Sequence, residues 1–224
     1  MIITYQGVEF FKVQFGDTIL AFNPISKESK FKSTRFFADV ALVSANHSDF
    51  NGVESLSYNG KDPLVISGPG EYETKGVFIK GFQSKTNYGL PAQTGGKEKI
   101  NTVYIVVLEG MTLCFLGALS DEKLSPEFLE AVEDIDILFL PIGDDGVLDS
   151  AKANKLAVTL EPKIIIPMHY DQVGAAGSLK KFLKEAGEED VKPIDKLTLK
   201  KKDLDGKEGE VVILSLPAQV GQAN

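Results

Sequence analysis

Strand-like runs crowd the first half of this chain, and in the second half they alternate with helix-like ones. That order limits the folds open to it more than any single residue does. Ile2-Ile3-Thr4-Tyr5, Val8-Glu9-Phe10-Phe11-Lys12-Val13 and Thr18-Ile19-Leu20-Ala21-Phe22 are rich in β-branched and aromatic residues, with turns at Gln6-Gly7 and Gly16-Asp17. Short strands joined this tightly predict an antiparallel meander. Asn23-Pro24 stops the third strand, because proline cannot donate to a ladder and pushes its predecessor away from helix. Residues 26–37 are basic and irregular, a surface loop or short helix. Val40-Ala41-Leu42-Val43 reads as a short buried strand, 51–58 as a short helix before a turn at Asn59-Gly60, and Pro63-Leu64-Val65-Ile66-Ser67 as another strand. Gly68-Pro69-Gly70-Glu71-Tyr72-Glu73 is a tight turn by composition. A phosphate cradle there would open a helix, whereas this segment runs on into the strand Val77-Phe78-Ile79-Lys80-Gly81-Phe82. Residues 83–101 show no period and predict a long loop.

Beyond it, Thr102-Val103-Tyr104-Ile105-Val106-Val107-Leu108 and Met111-Thr112-Leu113-Cys114-Phe115-Leu116 form a hairpin around Glu109-Gly110. A helix is expected at 125–132, with Ser125 as N-cap and Pro126 in its first turn. Ile135-Asp136-Ile137-Leu138-Phe139-Leu140 is a buried strand. Asp149 caps a helix through about Leu160, and Lys163-Ile164-Ile165-Ile166-Pro167 is a strand that delivers His169 at its end. A helix at 178–185 and two last strands within 196–202 and 210–216 complete the order. Two mixed sheets packed face to face with helices outside, an αββα sandwich, fit it, and residues 1–224 suit one domain.

Composition narrows the function. A net charge of −8 argues against a nucleic-acid backbone as the main partner. One cysteine, Cys114, excludes an intrachain disulfide, and its apolar strand predicts an inert core thiol. The N-terminus has no signal-peptide pattern and no apolar run could span a bilayer, so a cytoplasmic protein without membrane contact is expected. No Gly-x-Ser-x-Gly elbow supports a triad of Ser44 or Ser48 with a histidine. Asp144 and Asp145 read as a solvated turn, and Lys200-Lys201-Lys202 as solvated charge.

The polar stretch after the Val40 strand carries the chemistry. Such loops, at the C-terminal ends of strands, are where α/β proteins tend to place their sites. His47 and Asp49, an imidazole and a carboxylate two residues apart, are a pair able to hold a divalent metal. The sandwich would bring His169 to the same edge.

The stretch Ser44-Ala45-Asn46-His47-Ser48-Asp49-Phe50-Asn51-Gly52, with Gly68-Pro69-Gly70-Glu71-Tyr72-Glu73 and Ile165-Ile166-Pro167-Met168-His169-Tyr170, resembles the metallo-β-lactamase superfamily. Its nearest branch is that of the lactonase-like zinc- or manganese-dependent hydrolases, and the resemblance spans nearly the whole chain. It implies an αββα sandwich and a two-metal site built from five histidines and two aspartates. This chain has two histidines in all. Ala45 and Phe50 stand where the motif has its first and last histidines. A third histidine is expected near Thr86, in a stretch that holds none. Ala118 replaces the bridging aspartate, and Asn23-Pro24 replaces an Asp-Pro.

What survives is His47, Asp49 and His169, the residual metal ligands, with Asp49 catalytic only in an active enzyme. A catalytic zinc normally has three protein ligands and an open position for water. The expectation is therefore a catalytically degenerate, hydrolase-like protein with no cofactor or a single weakly held zinc or manganese, which binds a small molecule or a protein partner. The alternative is an active metal-dependent hydrolase of a lactone, phosphodiester or phosphorylated sugar, with a one-metal site at His47, Asp49 and His169. Self-association into a homo-oligomer stays open.

Overall fold

The structure, a computed structural model, describes residues 1–90 and 98–217. Its elements, in chain order, are strands β1 (Ile2–Gly7), β2 (Phe10–Phe15), β3 (Thr18–Phe22), β4 (Val40–Leu42), β5 (Leu64–Ile66), β6 (Gly70–Thr74), β7 (Val77–Thr86), β8 (Lys99–Leu108) and β9 (Met111–Phe115), then helix α1 (Pro126–Ala131). Strand β10 (Ile137–Pro141), helix α2 (Ser150–Leu160), strand β11 (Ile164–Met168), helix α3 (Ser178–Ala186) and strands β12 (Leu197–Thr198) and β13 (Glu210–Val211) follow. They form two mixed sheets. One has six strands in the order β12-β1-β2-β3-β4-β5, the other seven in the order β13-β11-β10-β9-β8-β7-β6.

The sandwich closes on apolar residues that alternate along the facing strands. Ile3, Tyr5, Phe11, Val13, Leu20 and Phe22 of the first sheet meet Tyr104, Val106, Leu113, Phe115, Phe139 and Ile166 of the second in one buried cluster. Phe11 lies edge-on to Phe139 at 4.8 Å and Phe22 sits 4.9 Å from Phe115. Each such pair adds about 0.5–1.5 kcal/mol beyond its area. The opposite face of the second sheet is covered by the helices, through Phe128 of α1, Leu156 of α2 and Phe182 of α3. On the first sheet's outer face, Phe10, Ala21 and Ala41 pack under Ile25, Ala38 and Leu56 of the irregular segments.

The meander of β1 to β3, the β8–β9 hairpin and both caps lie where the sequence puts them. The Ser125 side chain accepts from the Phe128 N–H, and that of Asp149 from the Lys152 N–H. Five segments differ. Gly68-Pro69 alone makes the expected turn, because Glu71-Tyr72-Glu73 alternates with a strand's period and pairs with β7, Glu71 opposite Lys80. The expected loop at 83–101 is entered from both sides by strands, Ser84 opposite Asn101 and Thr86 opposite Lys99. Those residues are polar, so no apolar period betrays them; Ser84 Oγ and the Asn101 amide hydrogen-bond instead. Its middle, 91–97, lies outside the described residues. The short helix expected at 51–58 is a single 3-10 turn, Val53–Ser55, and the last two strands shrink to two residues each.

Candidate functional site

Strands β3, β4 and β5 run parallel to one another in the first sheet, as do β9, β10, β11 and β13 in the second. Their carboxyl ends deliver the loops that build the site. Two bonds tie the sheets together there: the Thr102 N–H donates to Ser44 O (2.7 Å) and the Tyr104 hydroxyl to Val43 O (2.8 Å).

His47 and Asp49 come off β4 together. The Asp49 N–H donates to Nδ1 of His47 at 3.2 Å, and that nitrogen lies 3.5 Å from the Asp49 carboxylate. Asp49 is buried, with each oxygen already taken: one accepts from the Ser29 hydroxyl at 2.5 Å, the other from the Tyr88 hydroxyl at 2.7 Å. Burial, and then the bond to Asp49, drive the Tyr88 phenol far above its ordinary range, so it stays protonated and donates. Burial lowers the His47 pKa against the opposing pull of Asp49.

His169 follows β11 in a left-handed conformation (φ 60°) and is fully buried. Its N–H donates to Val8 O (2.8 Å), and Nδ1 meets the buried carboxylate of Glu9 at 2.7 Å. The second Glu9 oxygen accepts from the Asn23 amide (2.7 Å), which also donates to Ser44 Oγ (2.8 Å). Ser44 is thereby held by Asn23 and not by an imidazole. Nε2 of His169 is buried and, among the described residues, has no hydrogen-bond partner.

Rings fill the space between these groups. Tyr88 stands edge-on to His169 at 4.7 Å and to His47 at 4.9 Å, and Phe50 lies 5.2 Å from Tyr88 and 6.3 Å from His169. Ala45, Phe50, Tyr88 and Ala118 belong to one buried apolar cluster with Ile25, Leu56 and Val147. Three of those four stand where the resemblance implies metal ligands. Thr86, the fourth such position, is buried and accepts the Tyr88 N–H on its hydroxyl (3.0 Å), which helps aim the ring inward. Gly52, the motif's last residue, is kept for room: a Cβ there would sit 2.2 Å from the Ile25 carbonyl carbon.

The three residues singled out from the sequence thus meet around Tyr88, with part of their metal-binding atoms engaged in hydrogen bonds and Nε2 of His169 not. Asp49 is occupied by two hydroxyls, and Nδ1 of each histidine by a hydrogen-bonded neighbour. Among the described residues no three His, Cys, Asp or Glu side chains gather in a group able to hold an ion. Asp144 and Asp145 are exposed, and Cys114 is buried with its thiol pushed far up by desolvation. Tyr88, Ser29 and Glu9 escape a reading of the sequence. A lone Tyr in a polar stretch and a Glu inside an apolar strand were their only signals.

The profile of the family described as "Beta-lactamase superfamily domain" matches residues 2–169. A protein of Pyrococcus furiosus named metal-dependent hydrolase is 30% identical over 178 residues, covering 69% of this chain and 76% of its own. One of the same name from Anoxybacillus flavithermus is 28% identical over 202 residues, covering 76% and 86%. A crystal structure from Thermotoga maritima, of a candidate Zn-dependent hydrolase of the metallo-β-lactamase superfamily, superposes with a TM-score of 0.74 at 27% identity, over 96% of this chain and 99% of that one. Among the described residues no helix is long and apolar enough to cross a membrane.

Proposed function

This chain belongs to the β-lactamase superfamily domain family, and on that premise we propose that it uses the hydrolase sandwich to bind a small molecule or a protein partner, without metal-dependent hydrolysis. One observation carries this reading: the Asp49 carboxylate, which would serve an ion, is satisfied by the Ser29 and Tyr88 hydroxyls while Phe50 and Tyr88 fill the space beside it. An apolar ring cannot coordinate an ion, and the Tyr88 hydroxyl would have to give up Asp49 for an ion to take that oxygen's place beside the ring.

Metal analysis of protein purified without chelator tests it. The expected result is substoichiometric zinc and manganese in the wild type. Stoichiometric metal that disappears in both Asp49→Ala and His169→Ala would overturn it.

The comparisons support a second reading more than they support the first. The relatives are named metal-dependent hydrolases, and the bare, buried Nε2 of His169 is of a ligand type. In that reading one zinc or manganese ion is held by His47, Asp49 and His169 once Tyr88 leaves Asp49, and the substrate is a lactone, phosphodiester or phosphorylated sugar. Turnover of such substrates with added Mn²⁺ or Zn²⁺, lost in Asp49→Ala, is its signature.

A further inference from the structure

The outer face of the second sheet is covered only in part. Helix α1 reaches over it as far as Phe82, whose ring meets Phe128 edge-on at 5.4 Å. Beyond that point the outward side chains of β6, β7 and β8 stand side by side in register. Glu73 is opposite Phe78 and Phe78 opposite Val107; Glu71 is opposite Lys80 and Lys80 opposite Ile105. Phe78 is 54% exposed and Val107 36%. With Ile105 and Ala131 they line a cavity of about 260 Å³. Its surroundings are acidic. Glu73 on the edge strand, and Glu130 and Glu133 around the end of α1, are exposed, and among the described residues none of the three makes an ion pair.

The opposite side of the sandwich carries the complement. Residues 26–37 pack over the outer face of the first sheet, where Phe31 and Phe36 join the cluster of Phe10 and Ala41 and Phe36 stacks on Phe10 at 5.5 Å. The segment's backbone is held in place. The Ser29 hydroxyl donates to Asp49 (2.5 Å) and the Lys27 N–H to Glu54 (3.1 Å). Lys27, Lys30, Lys32 and Arg35 are exposed, and among the described residues none makes an ion pair. Glu28 is the single carboxylate among them. Cations on a pinned backbone give up less freedom on pairing than cations on a loose one. In a protein of net charge −8, this local reversal of sign matches the acidic surroundings of the Phe78 cavity.

We propose that the 26–37 segment of one copy of this chain docks on the Phe78–Val107 face of a second copy. Its cations meet Glu73, Glu130 and Glu133, and their aliphatic stems cover the apolar cavity. The two surfaces lie on opposite sides of the sandwich, so the contact is head-to-tail and builds a ring or an open chain of copies, not a two-fold dimer. Metal content, the measure of the preceding reading, does not bear on this contact, so each can fail alone.

Sedimentation velocity of the full chain over a range of concentrations is the test. At about 0.1 M salt, where the overall repulsion of two anionic chains is screened beyond about 10 Å, the sedimentation coefficient should rise with concentration, with a Kd of about 100 µM. At about 0.5 M salt the association should weaken about tenfold, because the paired surface charges are screened as well. The double variant Lys30→Glu/Arg35→Glu and the double variant Glu73→Lys/Glu130→Lys should each lose it. An equimolar mixture of the two should regain it, since each keeps the surface that the other has lost. Phe78→Ser removes the exposed ring and should weaken association about tenfold. A monomer at every concentration, association that survives either charge variant, or a mixture that stays monomeric overturns the docking. Loss in Phe78→Ser alone would make the face an interface with itself, and overturns it equally.

Discussion

The Asp49 carboxylate is buried, and its position depends on two hydroxyls whose removal can be measured separately. Tyr88→Phe keeps the ring and its contacts but deletes the donor at 2.7 Å. A buried acceptor left unmatched costs about 1–3 kcal/mol. In a chain of this size that lowers Tm by about 2–4 °C per kcal/mol. Thermal unfolding of Tyr88→Phe reads this directly, and an unchanged Tm would mean that the phenol does not satisfy Asp49. His47 supplies a pH dependence of known sign. Its folded pKa lies below the model-peptide value of 6.5, chiefly through burial, so the unfolded chain binds more protons in the window just beneath 6.5. This contribution to stability is complete above that value and is lost as pH falls through the lowered folded pKa. Denaturation across pH 5–8 should show stability rising with pH in that window, and His47→Gln should flatten the slope.

Among the elements, β9, β10 and the 3-10 turn at Lys201–Leu204 are tied by one carboxylate. Asp136 is fully buried and accepts from the Lys163 ammonium (2.7 Å), the Lys201 ammonium (2.6 Å) and the Thr112 N–H (2.9 Å). Burial alone would raise its pKa; the two lysines and the Thr112 N–H more than offset that and hold it down. Asp136→Asn should cost about 2 kcal/mol, less than breaking a fully buried pair because both lysines reach water. Acid unfolding checks the sign: the contribution is present above the ordinary carboxylate pKa and is lost as pH falls through the lowered one, so the variant should lose stability at neutral pH and narrow its gap to wild type in acid. The sequence shows Asp136 only as an acid within an apolar strand, without its partners. The same limit runs through the fold. Strands with apolar alternation, such as β2 and β8, were legible, as were the capped starts of α1 and α2. The polar ends of β7 and β8 were not, because cross-strand hydrogen bonds such as Ser84 to Asn101 leave no apolar period in the chain. At β6 the Gly-Pro-Gly composition masked the alternation that follows it.

For the molecule as a whole, the question is what holds the two sheets in register at the site's edge. In a metal-dependent fold the ion does part of this, and its removal loosens the loops that ligate it. Here the same loops are joined by Asp49 to Tyr88, Glu9 to His169 and Asn23 to Ser44, and the space is packed by Ala45, Phe50 and Ala118. Half of that arrangement was readable in advance. Ala45, Phe50 and Ala118 declared themselves as substitutions within a motif, but nothing local placed Tyr88 against Asp49, since that contact joins residues far apart in the chain. A ligand that binds only the folded state adds about 2.7 kcal/mol at a hundredfold excess over its Kd, which would raise Tm by about 5–10 °C in a protein of this size. If side chains have taken over the ion's structural part, neither a chelator nor added zinc or manganese should move Tm by more than about 1 °C. Tyr88→Ala should remove that indifference: it exposes Asp49 and His169 to one another across an opened cavity, so added zinc should raise the Tm of this variant relative to its own metal-free state. A wild type stabilised by zinc as strongly as the variant would show that Tyr88 yields to an ion, and would favour the hydrolase reading that the relatives' names support.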